Sequence, residues 1–201
     1  METLASLLGN GAALVASIAA IKGISAWKRE FQGKKKIEIA EEAMILFYQA
    51  SDAIRRIRSP FGYGNEGKSK ISESEKTAFE NKVVPQVYVI LERYEKEENI
   101  FNKISAMRYR FMALFGNDSK VPFESIKSIV YDIFHAAQFY RMNCEIMPDI
   151  EDEKERKRLS DEITTYRKTI WNVGGSDIIE PRVKEAIDKL EAICRSVILK
   201  S

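Results

Sequence analysis

The chain has 201 residues, 32 basic and 30 acidic side chains, and a net charge of +2. So even a balance excludes the strongly basic footprint of a DNA-binding protein. Mean hydropathy is −0.29, too polar for a multi-span membrane protein. Cys144 and Cys194 stand apart, without metal or redox spacing, as in a reduced compartment where they pack as small hydrophobes.

The first element is an uncharged run from Leu4 to Ile21, LASLLGNGAALVASIAAI. At about 1.5 Å per residue, and extended to Trp27 past a snorkelling Lys22, such a helix crosses a hydrocarbon core of roughly 30 Å. Ala5, Gly9, Ala13 and Ser17 recur every fourth position, a ladder of small residues that lets helix backbones approach closely in lipid. Ser6 and Asn10 lie beside it and need partners or water there. A secretory signal would open with positive charge, whereas here the early charge is Glu2. A buried, Ala-rich soluble helix is the rival reading, and an interfacial helix would need a charged face that the run lacks; the reading taken is a transmembrane and oligomerisation helix over residues 1–27, followed by a helical bundle over 28–201. Lys22, Lys28, Arg29, Lys34, Lys35 and Lys36 follow the run, with Trp27 as an aromatic-belt residue. That bias places the N-terminus outside and the bundle in the cytoplasm of a bacterial inner membrane, close to lipid head groups.

Beyond the anchor the apolar period is helical. Ile37, Ala40, Met44, Phe47, Ser51 and Ile54 form one stripe, and Ala43, Leu46, Ala50, Ala53 and Ile57 a second beside it. Two adjacent stripes predict a helix at the centre of a bundle, ending at Ser59-Pro60. A second helix is expected from about Glu75 to Phe115, broken or kinked near Pro85, and stopped by Gly116-Asn117-Asp118. Phe123 to Met142 predicts a third, with Pro122 in its first turn. The charged stretch Asp149 to Asn172 reads as a solvated or subunit-bridging helix, poor in core residues before Tyr166. Gly174-Gly175 ends it. Pro181 to Leu199 is the last helix, with Val183, Ile187, Leu190, Cys194 and Val197 inward. No stretch sustains period-two alternation, so the fold class is all-α.

Between the first two bundle helices, Gly62, Gly67, Lys68 and Ser69 satisfy G-x-x-x-x-G-K-S, the pattern of a phosphate-binding loop. There the glycines free backbone N–H groups to wrap phosphates, the lysine reaches the terminal phosphates and the hydroxyl binds Mg²⁺. Such a loop follows a buried strand and opens a helix, whereas Ala53–Ser59 is charged and helical and KISESEK is polar. Arg55, Arg56 and Arg58 precede the loop at a helix C-terminus. They complement the helix dipole, and guanidinium groups so placed also suit an anionic ligand such as a nucleotide or RNA.

Catalytic constellations are missing. His135 is the single histidine, in the apolar context IVYDIFHAAQFY, and is expected in or near the core. It has no glutamate at zinc-ligand spacing and no arginine four to six residues before it, as a HEPN ribonuclease would need. No cofactor and no metal are implied, and the chain reads as a non-enzyme.

WKREFQGKKKIEIAEE, FYQASDAIRRIRSPFGYGNEG, YVILERYEKEENIFNKISAMRYRFMALFG and DIIEPRVKEAIDKLEAIC together resemble a family of uncharacterised bacterial membrane-anchored, all-helical proteins. The resemblance covers most of the chain and implies one membrane helix on a helical bundle, with no catalytic residues to transfer. In architecture alone the chain is similar to CRISPR-accessory membrane proteins that form oligomeric pores. The functional expectation is a membrane-anchored homo-oligomeric effector, pore-forming and gated by its bundle, in phage defence. A passive anchor or scaffold for a protein partner is the alternative, and a nucleotide-binding protein using residues 62–69 stands third.

Overall fold

A computed structural model describes the backbone of residues 2–62, 66, 80–172, 174 and 177–198, with side chains described from position 20 in the first helix and position 87 in the second. Five α-helices account for almost all of it, α1 (Glu2–Ile57), α2 (Glu80–Phe115), α3 (Val121–Ile146), α4 (Glu153–Ile170) and α5 (Glu180–Ile198), with no strand among the described residues. The fold is all-α. Among the described residues no helix is long and apolar enough to cross a membrane. The side chains of 2–19, which carry most of the Leu4–Ile21 run, lie outside them.

The bundle is built from α1, α2, α3 and α5. Helix α1 packs on α2 and α5, and α3 packs on the same two, so α1 and α3 sit on opposite corners. Phe47 of α1 nevertheless meets Phe123 of α3 edge to face across the centre, 5.0 Å between ring centroids. Contacts fix the directions. Arg56 pairs with Glu97 and Arg110 with Glu42, so α2 runs back along α1. Tyr48 donates to Glu191 while Arg55 pairs with Glu180, so α5 runs back along it too. Helix α3 is antiparallel to α2, with Tyr94 against Phe134 and Phe111 against Phe123. The short connection from α2 to α3 favours antiparallel neighbours.

Both expected stripes of α1 face this core: Ala40, Ala43, Ala50 and Ala53 are fully enclosed, with Leu46, Phe47, Ile54 and Ile57 between them. Alanines there let α2 and α5 approach the α1 backbone closely. Helix α2 is described from Glu80, the expected start near Glu75 lying outside the described residues, and it continues unbroken through Pro85.

Helix α4 departs from its solvated expectation. It lies along α3, with Leu159, Thr169 and Ile170 buried, and Asn143 of α3 donating to Glu162 at 3.1 Å. Asp152 caps its start by accepting from the Glu155 N–H at 2.8 Å.

Candidate functional site

Two regions of α1 carry what the molecule offers beyond a packed core. The first is its exposed part before the bundle. Every described side chain from position 20 to position 32 is exposed, and the first buried residue is Ile39. Ile21, Ile24, Trp27 and Phe31 follow a helical period down one side, each between 59% and 66% exposed. Trp27 and Phe31 stack on each other, with centroids 5.8 Å apart. Lys22, Lys28 and Arg29 are interleaved with them, and Lys34, Lys35 and Lys36 follow. From Ile21 to Gln32 this stalk spans about 17 Å, and by Lys36, which lies over Phe115 of α2, the helix has met the bundle.

The second region is the far pole, where α1 and α4 end and α5 begins. Arg58 is 1% exposed and Asp177 9%, and the two pair bidentately at 2.9 and 3.0 Å. The guanidinium also donates to the carbonyls of Thr169 at 2.9 Å, Lys168 at 3.1 Å and Trp171 at 3.3 Å. These are the last carbonyls of α4, the negative end of a helix dipole. Asp177 in turn accepts from the N–H groups of Ile179 and Glu180 at the start of α5. Burial pushes the Asp177 carboxyl up, but the Arg58 guanidinium and those two N–H groups outweigh it and hold it below the usual carboxylate range. The Asn172 N–H closes the junction on the Arg58 carbonyl at 2.8 Å.

A second buried arginine closes α1 from the other side. Arg93 of α2 donates to the Ser59 carbonyl at 2.6 Å, to the Phe61 carbonyl at 2.8 Å and to Glu66 at 2.7 Å. Gly62 is needed beside it: a Cβ there would stand 2.7 Å from the Glu66 carboxylate and 3.1 Å from the Arg93 guanidinium. Arg56, Arg93, Lys96, Glu66 and Glu97 line an open cleft of about 570 Å³ around that loop. Its cations are each paired, Arg56 gripping Glu97 at 2.6 and 3.0 Å, Arg93 holding Glu66, and Lys96 pairing with Glu92 one turn back on α2.

The arginine cluster read from the sequence therefore divides three ways. Arg55 reaches Glu180 on α5, Arg56 reaches Glu97 on α2, and Arg58 turns inward. Of the phosphate-loop residues Gly62 is described, in the turn that follows helix α1, whereas Gly67, Lys68 and Ser69 lie outside the described residues. The same holds for the side chains of Ala5, Ser6, Gly9, Asn10, Ala13 and Ser17, whose backbone forms part of α1.

His135 corrects its expectation: it is exposed. The apolar residues around it in sequence belong to two different faces. Ile133, Ala136, Ala137 and Tyr140 point into the core, while His135 lies on the opposite face with exposed Tyr131, Met142 and Ile146. Its ring stacks on Phe139 at 4.3 Å. Both cysteines are free and buried, and burial pushes the Cys194 thiol up to about 11. Among the described residues no three His, Cys, Asp or Glu side chains converge as a metal would require.

Arg93 and Asp177 were not singled out by sequence reasoning. Arg93 carried a signal, since it interrupts the apolar stripe of Val87, Ile90, Phe101 and Ile104 on the buried face of α2. A charge on such a face needs an internal partner. Comparisons with protein-family models, curated proteins and solved structures find no match for this chain.

Proposed function

We propose that the protein is a membrane-anchored homo-oligomeric effector, held by residues 1–27, whose helical bundle stands off the bilayer on the exposed part of α1. The observation that carries this reading is the stalk. A lone helix turn after turn out of contact with the bundle, with Ile21, Ile24, Trp27 and Phe31 on one side, leaves apolar surface that water does not favour. Trp27 and Phe31 suit the level of lipid head groups, and the lysines that follow suit their anionic charge. In this arrangement copies associate through Ala5, Gly9, Ala13 and Ser17, and Ser6 and Asn10 hydrate the space between them as a pore.

Brominated lipids test the first part. Trp27 is expected to be quenched by bromine placed near the head groups, and Trp171, at the far pole, is not; Trp27→Phe should remove the quenching. A full-length protein that alkaline carbonate releases from membranes, with no quenching, refutes the anchor. Ion flux from liposomes tests the second. Gly9→Leu and Asn10→Leu are expected to abolish it, and unchanged flux refutes the pore while leaving the anchor standing.

A further inference from the structure

Between the middle of α2 and the first half of α3 runs a groove of about 380 Å³. That volume lies at the small end of the roughly 300–1,000 Å³ typical of small-molecule sites. Its floor is apolar, with Phe101, Ile104, Phe123 and Ile126 all buried. Arg108 and Lys127 stand along it, one from each helix.

These two cations differ from those at the far pole. Arg55, Arg56, Arg58 and Arg93 each hold a carboxylate. Arg108 and Lys127 hold none among the described residues. Arg108 donates one N–H to the Tyr109 hydroxyl at 2.8 Å and lies over that ring, 4.7 Å from its centroid. Its Nε–H is buried with no acceptor, the one buried side-chain polar atom so left among the described residues. An orphaned guanidinium N–H is unfavourable beside an apolar wall, where an anion would be held more strongly than in water.

We propose that this groove binds a small amphiphilic anion, its apolar body on Phe101, Ile104, Phe123 and Ile126 and its carboxylate or phosphate between Arg108 and Lys127. The anion then accepts from the terminal N–H groups of the guanidinium, the buried Nε–H lying out of its reach, and Lys127 adds a second charge from the facing helix. Shape selects the apolar body, and the two cations select the charge. The site stands on the bundle alone and does not depend on how the chain meets a membrane.

Calorimetry on the full-length protein in zwitterionic nanodiscs tests it, with phenylbutyrate and the neutral phenylbutanol as probes. Partition into the discs is common to all protein variants, so the protein-dependent heat reports the groove. The carboxylate is expected to bind about tenfold or more tighter than the alcohol. Arg108→Gln with Lys127→Gln should bring the two within about threefold of each other. Asn102→Trp, an exposed rim position, should abolish binding of both with helicity unchanged by circular dichroism. Equal binding of acid and alcohol to the wild type, indifference to the double substitution, or no saturable binding of either probe overturns the proposal.

Discussion

The buried pair at the far pole is the most exacting test of how this bundle is held together. Asp177→Ala removes two of the five hydrogen bonds that Arg58 makes and the carboxylate that balances its charge. The three carbonyls that remain are dipoles, and they do not replace an ion at a side chain 1% exposed. Breaking a buried pair from one side costs about 3–5 kcal/mol. For a chain of this size that lowers Tm by roughly 6–20 °C. Part of the loss is the cap on α5, because Asp177 also accepts from Ile179 and Glu180. Asp177→Asn keeps an accepting oxygen there, the same atom that accepts from Arg58, so the difference between the two variants reports the cap together with one hydrogen bond to the guanidinium, about 2 kcal/mol. Arg55→Ala is the control: its pair with Glu180 is half exposed and is worth at most about 1 kcal/mol. Thermal unfolding of full-length protein in mild detergent, followed by circular dichroism, measures all three. If Asp177→Ala loses no more than Arg55→Ala, the far pole is not a structural clamp. The pH dependence has a definite sign. A carboxyl held low in the folded state contributes fully above the ordinary Asp value of about 3.9 and fades as pH falls through its lower folded value. The gap between wild type and Asp177→Asn should therefore be constant near neutrality and close only below about pH 4.

Three further outcomes follow from the same geometry. Cys194, its thiol pushed up to about 11, and buried Cys144 should resist a thiol reagent at pH 8 in native protein and react in denaturant; rapid native labelling would show that the core opens. Gly62→Ala should push Glu66 from Arg93 at a loss below about 1.5 kcal/mol, smaller than that of Arg93→Met, because the Ser59 and Phe61 carbonyls still hold the guanidinium. Gly33→Ala should stabilise α1 by roughly 0.4–1 kcal/mol, since nothing lies within 4 Å of the added Cβ. Slower amide exchange around position 33 checks it, and faster exchange would mean that the glycine serves a bend.

Much of the fold was legible because helix periodicity is a local property. The paired stripes of α1 named the alanines that α2 and α5 pack against, and the terminators at Ser59-Pro60 and Gly116 fell within a few residues of the helix ends. What was not legible depends on pairing across the chain. Arg55, Arg56 and Arg58 are adjacent in sequence and read as one basic cluster, yet their spacing sends them to α5, to α2 and into the core. Asp177 lies 119 residues from Arg58 in a polar turn, where nothing marks it as a partner. His135 misled because apolar neighbours in sequence were taken for apolar neighbours in space; a helical wheel centred on Ile133 and Ala137 separates the two faces. Leu159 shows the converse, a buried residue within a stretch of charges that joins Ile163, Tyr166 and Ile170 in laying α4 on α3.

Helix α1 joins both regions in one 56-residue element. At its far end Arg58 bonds to the last turn of α4 and to Asp177, which caps α5, Arg55 pairs with Glu180 of α5, and Arg93 of α2 bonds to the carbonyls that follow α1. A rotation or shift of α1 at that end would break buried, charge-assisted bonds to three other helices at once, so the bundle moves with α1 as a body. The stalk has no such bonds. Gly23 and Gly33 stand on either side of the Trp27–Phe31 stack, each with open space where a side chain would go. Glycine inside a helix lowers its stiffness and serves no packing role there. Under the proposed function, motion between anchor and bundle is therefore placed in residues 23–33, and the far pole is what makes that motion common to the whole bundle.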